Sequence, residues 1–226
     1  MTQVAVHISS VKDGSMYNRA DLFDSSVLQN RKSFLTKFDI QPTQTTRLSF
    51  VYGTETSPYC RYAILDSKHK GLGMNDDASL GVDAVVTSHK GHALLLPVAD
   101  CVGTVLYDPD HQVLMLSHLG RHSLEQYGGI KSVDFLVKNF DSDPSQLRVW
   151  LTPAAGKGNY SIWALDNKGM KEASLEQLLE AGIMQTNIID NSADTTTDKS
   201  YYSYSEFLKG NRAEDGDHAI VAMMTD

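Results

Sequence analysis

The residues best suited to chemistry lie in one stretch, 94–123, which reads LLLPVADCVGTVLYDPDHQVLMLSHLGRHS. It holds a thiol, Cys101, preceded by Asp100, and an imidazole, His118, followed two places later by Gly120. A thiol and an imidazole on facing positions can share a metal ion, or act as nucleophile and base. Two apolar runs, 102–107 and 113–117, flank Asp108-Pro109-Asp110-His111. Pro109 presets φ for the first corner of a turn and Asp108 can bond back to the backbone, so an antiparallel hairpin is predicted. Centring the turn between Pro109 and Asp110 sets Tyr107 against Gln112 and Cys101 directly against His118. Facing side chains on one sheet face stand about 5 Å apart at Cβ, within reach of one ion or of each other. A loop one residue longer would turn the pair to opposite faces. Each residue also has a plainer use: Cys is commonly core, and a His near a strand end is commonly a hydrogen-bonded structural residue.

The elements that must position this pair follow from periodicity. A first strand is predicted over 4–11. Ser26 to Gln29 reads as a capping box opening a helix. Leu28, Arg31, Phe34, Leu35 and Phe38 recur there at helical spacing and leave Asn30 and Arg31 near one edge of the apolar face, where Arg31 reads most simply as a solvated helix charge. Further strands are expected at 47–52 and 82–88. Between them, 68–81 is rich in Gly, Asp, Asn and Lys and reads as a surface loop or lid. His69 lies there between two lysines, and His89 and His92 stand in a turn; all three read most simply as solvated. After the hairpin, Ser123 with Gln126 caps an amphipathic helix of about 17 residues ending at Phe140. Gly128-Gly129 weakens it by about 1–2 kcal/mol relative to alanine. Its positive end would lie beside Cys101 and His118 and favour a thiolate or an anion. Strand 148–152 leads to a Gly-rich loop, 153–159, which can cradle a phosphate or simply turn; its spacing is not that of a P-loop. A helix over 174–181, a strand over 185–190 and a last strand over 218–224 complete the chain.

Composition sets the frame. The 226 residues are 41% hydrophobic and 21% charged, ordinary material for a packed core. Strands, hairpins and helices intermix without a βαβ rhythm. One domain over 1–226 is expected, α/β (α+β) in class, with a mixed β-sheet covered by helices. A net charge of −8 argues against nucleic acid as partner. No apolar run reaches membrane-spanning length, residues 1–14 lack the pattern of a signal peptide, and two cysteines are too few for a disulfide framework. A soluble cytoplasmic protein is the expectation.

Several motifs, taken together, resemble the YfiH family, also called the laccase-domain or polyphenol oxidase family. They are Ala99-Asp100-Cys101, Leu106-Tyr107-Asp108-Pro109 and His118-Leu119-Gly120-Arg121-His122-Ser123. Upstream, Val27-Leu28-Gln29-Asn30-Arg31 is similar to the family's Asn-Arg helix, and Gly81 to Thr87 to its Asp-Ala-x-x-Thr strand. Leu151-Thr152-Pro153 through Tyr160 resembles its Gly-Pro…Tyr loop, and Tyr202-Ser203-Tyr204 its aromatic-Ser segment. The resemblance implies a metal-dependent purine nucleoside enzyme: phosphorolysis of adenosine or inosine, and deamination of adenosine. It implies zinc or copper held by Cys101, His118 and a third ligand, with Arg31 holding phosphate and Asn18, Asn30 and Arg121 touching substrate. The partners implied are a purine nucleoside and phosphate, with neither nucleic acid nor membrane.

The chain departs from that pattern at informative places. Tyr52 stands where the family has the His of Gln-Val-His-Gly. The Trp-Arg of the central motif is lost, with Arg121 one place early and His122 where the Arg would stand; Asn159 replaces a second Cys. A catalytic zinc takes three protein ligands and a water. With Tyr52 in the third position one ion is expected to bind weakly, with His122 or His69 as substitute ligands. Two other functions fit the same residues. One is a cysteine-nucleophile hydrolase using Cys101 and His118. The other is a binding or scaffold member whose site has decayed. Multicopper oxidation of phenols needs more copper ligands than the chain offers in ligand-like spacing.

Overall fold

Strand β5 (Ala93–Val98) shows how the layers form: Leu94, Leu96 and Val98 enter one core, Ala93 and Leu95 another. Period-two alternation does this whenever a strand is buried on both faces. The computed structural model describes residues 3–21, 24–49, 59–75 and 80–226. In it β5 lies between β12 (His218–Thr225) and β2 (Thr45–Arg47), and β1 (Gln3–Ile8) completes a four-stranded sheet in the order β1-β12-β5-β2. The outer face of this sheet, Leu95, Ala219 and Val221, packs against Phe34 and Leu35 of α1 (Ser25–Thr36).

Its inner face meets a second, six-stranded sheet. That sheet runs β11 (Ile188–Asp190), β8 (Arg148–Leu151), β6 (Val102–Asp108), β7 (Val113–Leu119), β4 (Ala84–Thr87) and β3 (Tyr62–Ile64). Val85, Val105, Leu114 and Leu116 on one side interlock with Leu94, Leu96, Ile220 and Ala222 on the other. The far face is covered by α3 (Gly128–Phe140) and α4 (Met170–Glu180), through Val133, Leu136, Ala173 and Leu178. The pairs β2–β5, β3–β4 and β8–β11 are parallel and the others antiparallel. The expected mixed α/β fold is therefore present, with two large sheets in place of one. A short ribbon, β9 (Ser161–Ile162) with β10 (Lys168–Gly169), precedes α4. No helix among the described residues is long and apolar enough to cross a membrane.

Three local expectations need correction. The hairpin turn is longer than predicted: Asp108 pairs with Val113, and Gln112 adopts a left-handed φ of 54°. Asp108 Oδ1 accepts the N–H groups of Asp110 and His111, which stabilises a four-residue loop over the tight turn. The long helix is broken into α2 (Arg121–Glu125) and α3 by Tyr127, whose φ is 63°. Gly128 is needed at the break, since a Cβ there would meet the Ser123 carbonyl oxygen at 2.8 Å. The first helix is capped by Asp24, which accepts the Ser26 N–H, two residues before the Ser26 of the expected box.

The core also contains histidines that the sequence placed in solvent or left without a role. His92 is fully buried, with Nε2 2.8 Å from Thr46 Oγ1, and His218 is fully buried against the edge of Tyr201. Burial drives His92 down to about 4 and His218 down to about 3. The unfolded chain protonates these rings near 6.5. Stability is thus intact above about 6.5 and is lost as pH falls toward the folded values, by about 1–2 kcal/mol per ring between pH 7 and 5. Urea unfolding should show a lower midpoint at pH 5 than at pH 7, with a smaller difference in His218→Gln. A midpoint equally pH-dependent in the variant would contradict the assignment of His218.

Candidate functional site

The site grows from a corner in the chain. β5 belongs to one sheet and β6 to the other, and only Ala99, Asp100 and Cys101 connect them. So sharp a crossing forces Asp100 into the left-handed region, φ 71°, at a cost of about 1–2 kcal/mol for a residue with a Cβ. Hydrogen bonds offset it. Asp100 Oδ1 accepts the Thr195 hydroxyl at 2.8 Å, Oδ2 accepts the Ser205 N–H at 2.7 Å, and its carbonyl accepts the Ala155 N–H at 2.9 Å. Ser205 is in the first turn of α5 (Tyr204–Leu208), so the same carboxylate fixes that helix against the corner.

Cys101 follows at the end of the sheet. With the hairpin four residues round its loop, His118 pairs with Gly103, and Cys101 falls two residues beyond its predicted position. A shift of two keeps the sheet face, whereas a shift of one would have reversed it. The two groups still converge. A Cβ on Gly120 would lie 3.1 Å from Cys101 Sγ and 3.2 Å from His118 Nε2, so glycine leaves room for both at one point. They line a cavity of about 260 Å³ together with Arg19, Tyr59, Tyr160, Tyr204 and Asp217.

Electrostatics in this cavity favour neutral forms for the pair. Burial pushes the Cys101 thiol up to about 12, helped by the charges of Asp100 and Asp217 and opposed by Arg19 and an Arg121 N–H. Burial alone drives His118 down to about 4. The start of α2 does lower the thiol, through the Arg121 N–H, but the helix is only five residues long and burial outweighs it. Asp217 is raised to about 6 by burial, against the pull of Arg19, with Asp215 and Asp100 adding to the rise.

The remaining predicted residues fall in several places. Arg121 and His122 line the cavity, with Arg121 Nη2 3.1 Å from His122 Nε2 and the His122 ring stacked on Tyr59 at 5.1 Å. Arg31 is buried but is not among the lining residues. Its Nε donates to the Met16 carbonyl at 2.7 Å, and burial beside Arg47 drives it down to about 10. Arg31 is therefore not the solvated helix charge of the simplest reading, nor does its side chain reach this cavity. Asn18 and Asn30 line a separate cleft of about 540 Å³. There Asn18 binds Asp24, and Asn30 donates to the Ser15 carbonyl. His69 faces Asp66 at 2.9 Å, outside the cavity wall. Tyr52 lies outside the described residues. The Gly-rich loop holds no open cradle, because Asp194 Oδ1 accepts the Gly156 N–H at 2.9 Å and a Cβ at Gly156 would collide with that carboxylate.

Sequence reasoning missed Arg19 and Asp217. Arg19 Nη2 and Asp217 Oδ1 are 2.5 Å apart although 198 residues separate them, and no local pattern announces such a pair. Thiol and imidazole are donors that zinc and copper(I) prefer, so Cys101 and His118 suit two positions of such a centre. Among the described residues no group of three His, Cys, Asp or Glu is arranged to hold a metal.

Residues 17–171 match the family described as multi-copper polyphenol oxidoreductase laccase. The chain belongs to this laccase family. A purine nucleoside phosphorylase of Streptomyces coelicolor is 27% identical over 137 residues, covering 61% of this chain and 52% of that protein. Another purine nucleoside phosphorylase, of Corynebacterium glutamicum, is 32% identical over 80 residues, 35% of this chain and 32% of that protein. The match to adenosine deaminase RL5, from an unknown prokaryotic organism, is 38% over 63 residues, 27% of this chain and 24% of that protein. The alignments thus span between about a quarter and half of these relatives' own lengths. The solved structure of YfiH from Bacillus licheniformis superposes with a TM-score of 0.83 at 19% identity, covering 99% of this chain and 93% of that one. YlmD from Geobacillus stearothermophilus gives 0.83 at 19%, covering 100% and 92%. These two likenesses show that the chain shares the fold of YfiH and YlmD.

The neutral pair makes a direct prediction about thiol chemistry. With Cys101 raised to about 12, only the scarce thiolate reacts. Iodoacetamide should label Cys101 slowly at pH 7.5, and faster at pH 9.5. Peptide mass spectrometry of the metal-free protein reads this out. Rapid labelling at pH 7.5 would mean an activated thiolate and would favour the cysteine-hydrolase chemistry.

Proposed function

We propose that the cavity takes a purine nucleoside and that Cys101 and His118 mark its reacting end. The carrying observation is their convergence beside Gly120, in a cavity with three tyrosines and Met170 in its wall. Aromatic side chains suit a flat base, and a few convergent polar groups suit its sugar. The names of the three relatives, two phosphorylases and one deaminase, support the same substrate class.

In phosphorolysis a phosphate oxygen bonds to C1′ of the ribose as the C1′–N9 bond breaks. The electron pair passes to the base, which leaves with the proton that the hydrogen phosphate gives up, and ribose 1-phosphate remains. Cys101 and His118 would hold one zinc or copper ion, bound weakly with two donors. Such an ion when bound supplies a Lewis acid and lowers the pKa of water, the chemistry that deamination of adenosine requires. The chain's own residues orient the reactants. Tyr160 and Tyr204 bound the base. Arg121, which has no carboxylate partner among the described residues and lines the cavity, is placed to attract phosphate. Two free thiols suit a reducing compartment, so we assign the reaction to the cytoplasm.

A second reading, a binding protein with a decayed site, is favoured by the lack of a third metal donor among the described residues. One experiment separates them. Protein incubated with adenosine or inosine, phosphate and added zinc should release free base slowly, as seen by chromatography. Cys101→Ala and His118→Ala should each lower the rate by about 100-fold or more. Base release equal in the wild type and both variants, or none above a mock preparation, would favour the binding protein.

A further inference from the structure

The carboxylate of Asp217 is the cavity's unexplained polar group. The residue is 4% exposed and stands at the mouth of β12, on the loop that enters the strand. Its backbone is fixed: its N–H donates to Ser15 Oγ at 3.1 Å and its carbonyl accepts the Met16 N–H at 2.8 Å. Oδ1 is held by Arg19 Nη2 at 2.5 Å, and Arg19 is itself held by Asp215 at 2.7 Å and lies over the Tyr204 ring at 4.2 Å. Oδ2 takes no hydrogen bond from any described residue, although the side chain lines the cavity. A carboxylate oxygen that opens on the cavity, with its companion oxygen already held, is available to accept from a ligand donor.

The chemistry of the substrate narrows what that donor is. Asp217 lines the same cavity as Cys101 and His118, so it belongs to the reacting end. Around the C1′–N9 bond of a purine ribonucleoside the ring oxygen, N3 and N7 are acceptors, which an arginine-bound carboxylate repels. The one donor on an atom adjacent to C1′ is the ribose 2′-hydroxyl. Hydrogen bonds to that hydroxyl also tighten as C1′ becomes electron-poor, the general behaviour of glycosyl transfer. We infer that Asp217 Oδ2 accepts the 2′-hydroxyl of the substrate, with Arg19 as its positioning residue, so that the site selects ribonucleosides over 2′-deoxyribonucleosides. This rests on the nucleoside reading of the cavity and adds the sugar class to it.

Binding, measured by calorimetry without phosphate, tests this separately from turnover. The wild type should bind adenosine and 3′-deoxyadenosine within about threefold of each other and 2′-deoxyadenosine about tenfold or more weaker, the loss expected for a hydrogen bond to a charged group. Asp217→Asn, checked for folding by its thermal transition, should reduce the adenosine to 2′-deoxyadenosine ratio to about threefold or less. The wild-type comparison needs no variant, so it stands even if the substitution unfolds the chain. Equal wild-type affinity for adenosine and 2′-deoxyadenosine overturns the assignment, as does a ratio unchanged in Asp217→Asn. A variant that alters only the adenosine to inosine ratio would assign Asp217 to the base and also overturns it. Selective binding without base release would remove the phosphorolytic reading and leave Asp217 in place. Base release without 2′-selectivity would do the reverse, and a folded wild type that binds no nucleoside ends both.

Discussion

The three-residue crossing from one sheet to the other is the constraint on which the site depends. A strand leaving the first sheet at Val98 must enter the second at Val102, and the chain turns in that space only with Asp100 at a positive φ. Its buried carboxylate makes the turn tenable by taking two hydrogen bonds, and each ties down a different neighbour: the segment carrying Thr195 and the start of α5. Cys101 therefore sits on a corner braced from three sides. Such bracing is what a reacting group needs, since small errors in position cost more than small changes in chemistry.

Everything else in the cavity arrives at the same end of the two sheets. β7 brings His118 and the glycine that makes room for it, the loop entering β12 brings Asp217, and α5 brings Tyr204. The surroundings are dry enough to hold both the thiol and the imidazole neutral. One arginine is held there by two carboxylates and another, Arg121, carries none among the described residues. That arrangement suits a ligand with an apolar plane, a hydroxyl-bearing sugar and an anionic co-reactant. It does not suit a strongly activated nucleophile.

Much of this was legible in the sequence, for physical reasons that can be named. The hairpin was visible because apolar runs flank an Asp-Pro turn. Its register was misplaced by two residues because Asp108 can cap a longer loop as readily as a tight one. The meeting of Cys101 and His118 survived only because the error was even, and side chains repeat every second residue in a strand. Gly128-Gly129 read as a weakness in one helix, but close approach of the Ser123 carbonyl makes it the joint between two. Arg31 and His92 read as solvated charge and turn because burial of a polar side chain depends on partners far away in sequence, Met16 and Thr46. Arg19 and Asp217 were invisible for the same reason, being joined only when both chain ends reach one corner.

The central claim is that Cys101 and His118 act on one point in space. Zinc titration of the metal-free protein, with wild type, Cys101→Ser and His118→Ala compared by calorimetry, tests it most directly. The account predicts a single weak site in the wild type and at least about a tenfold loss of affinity in each variant, since two shared donors are each indispensable to a site that has so few. Zinc binding that is undiminished in either variant would place the ion elsewhere and contradict the account.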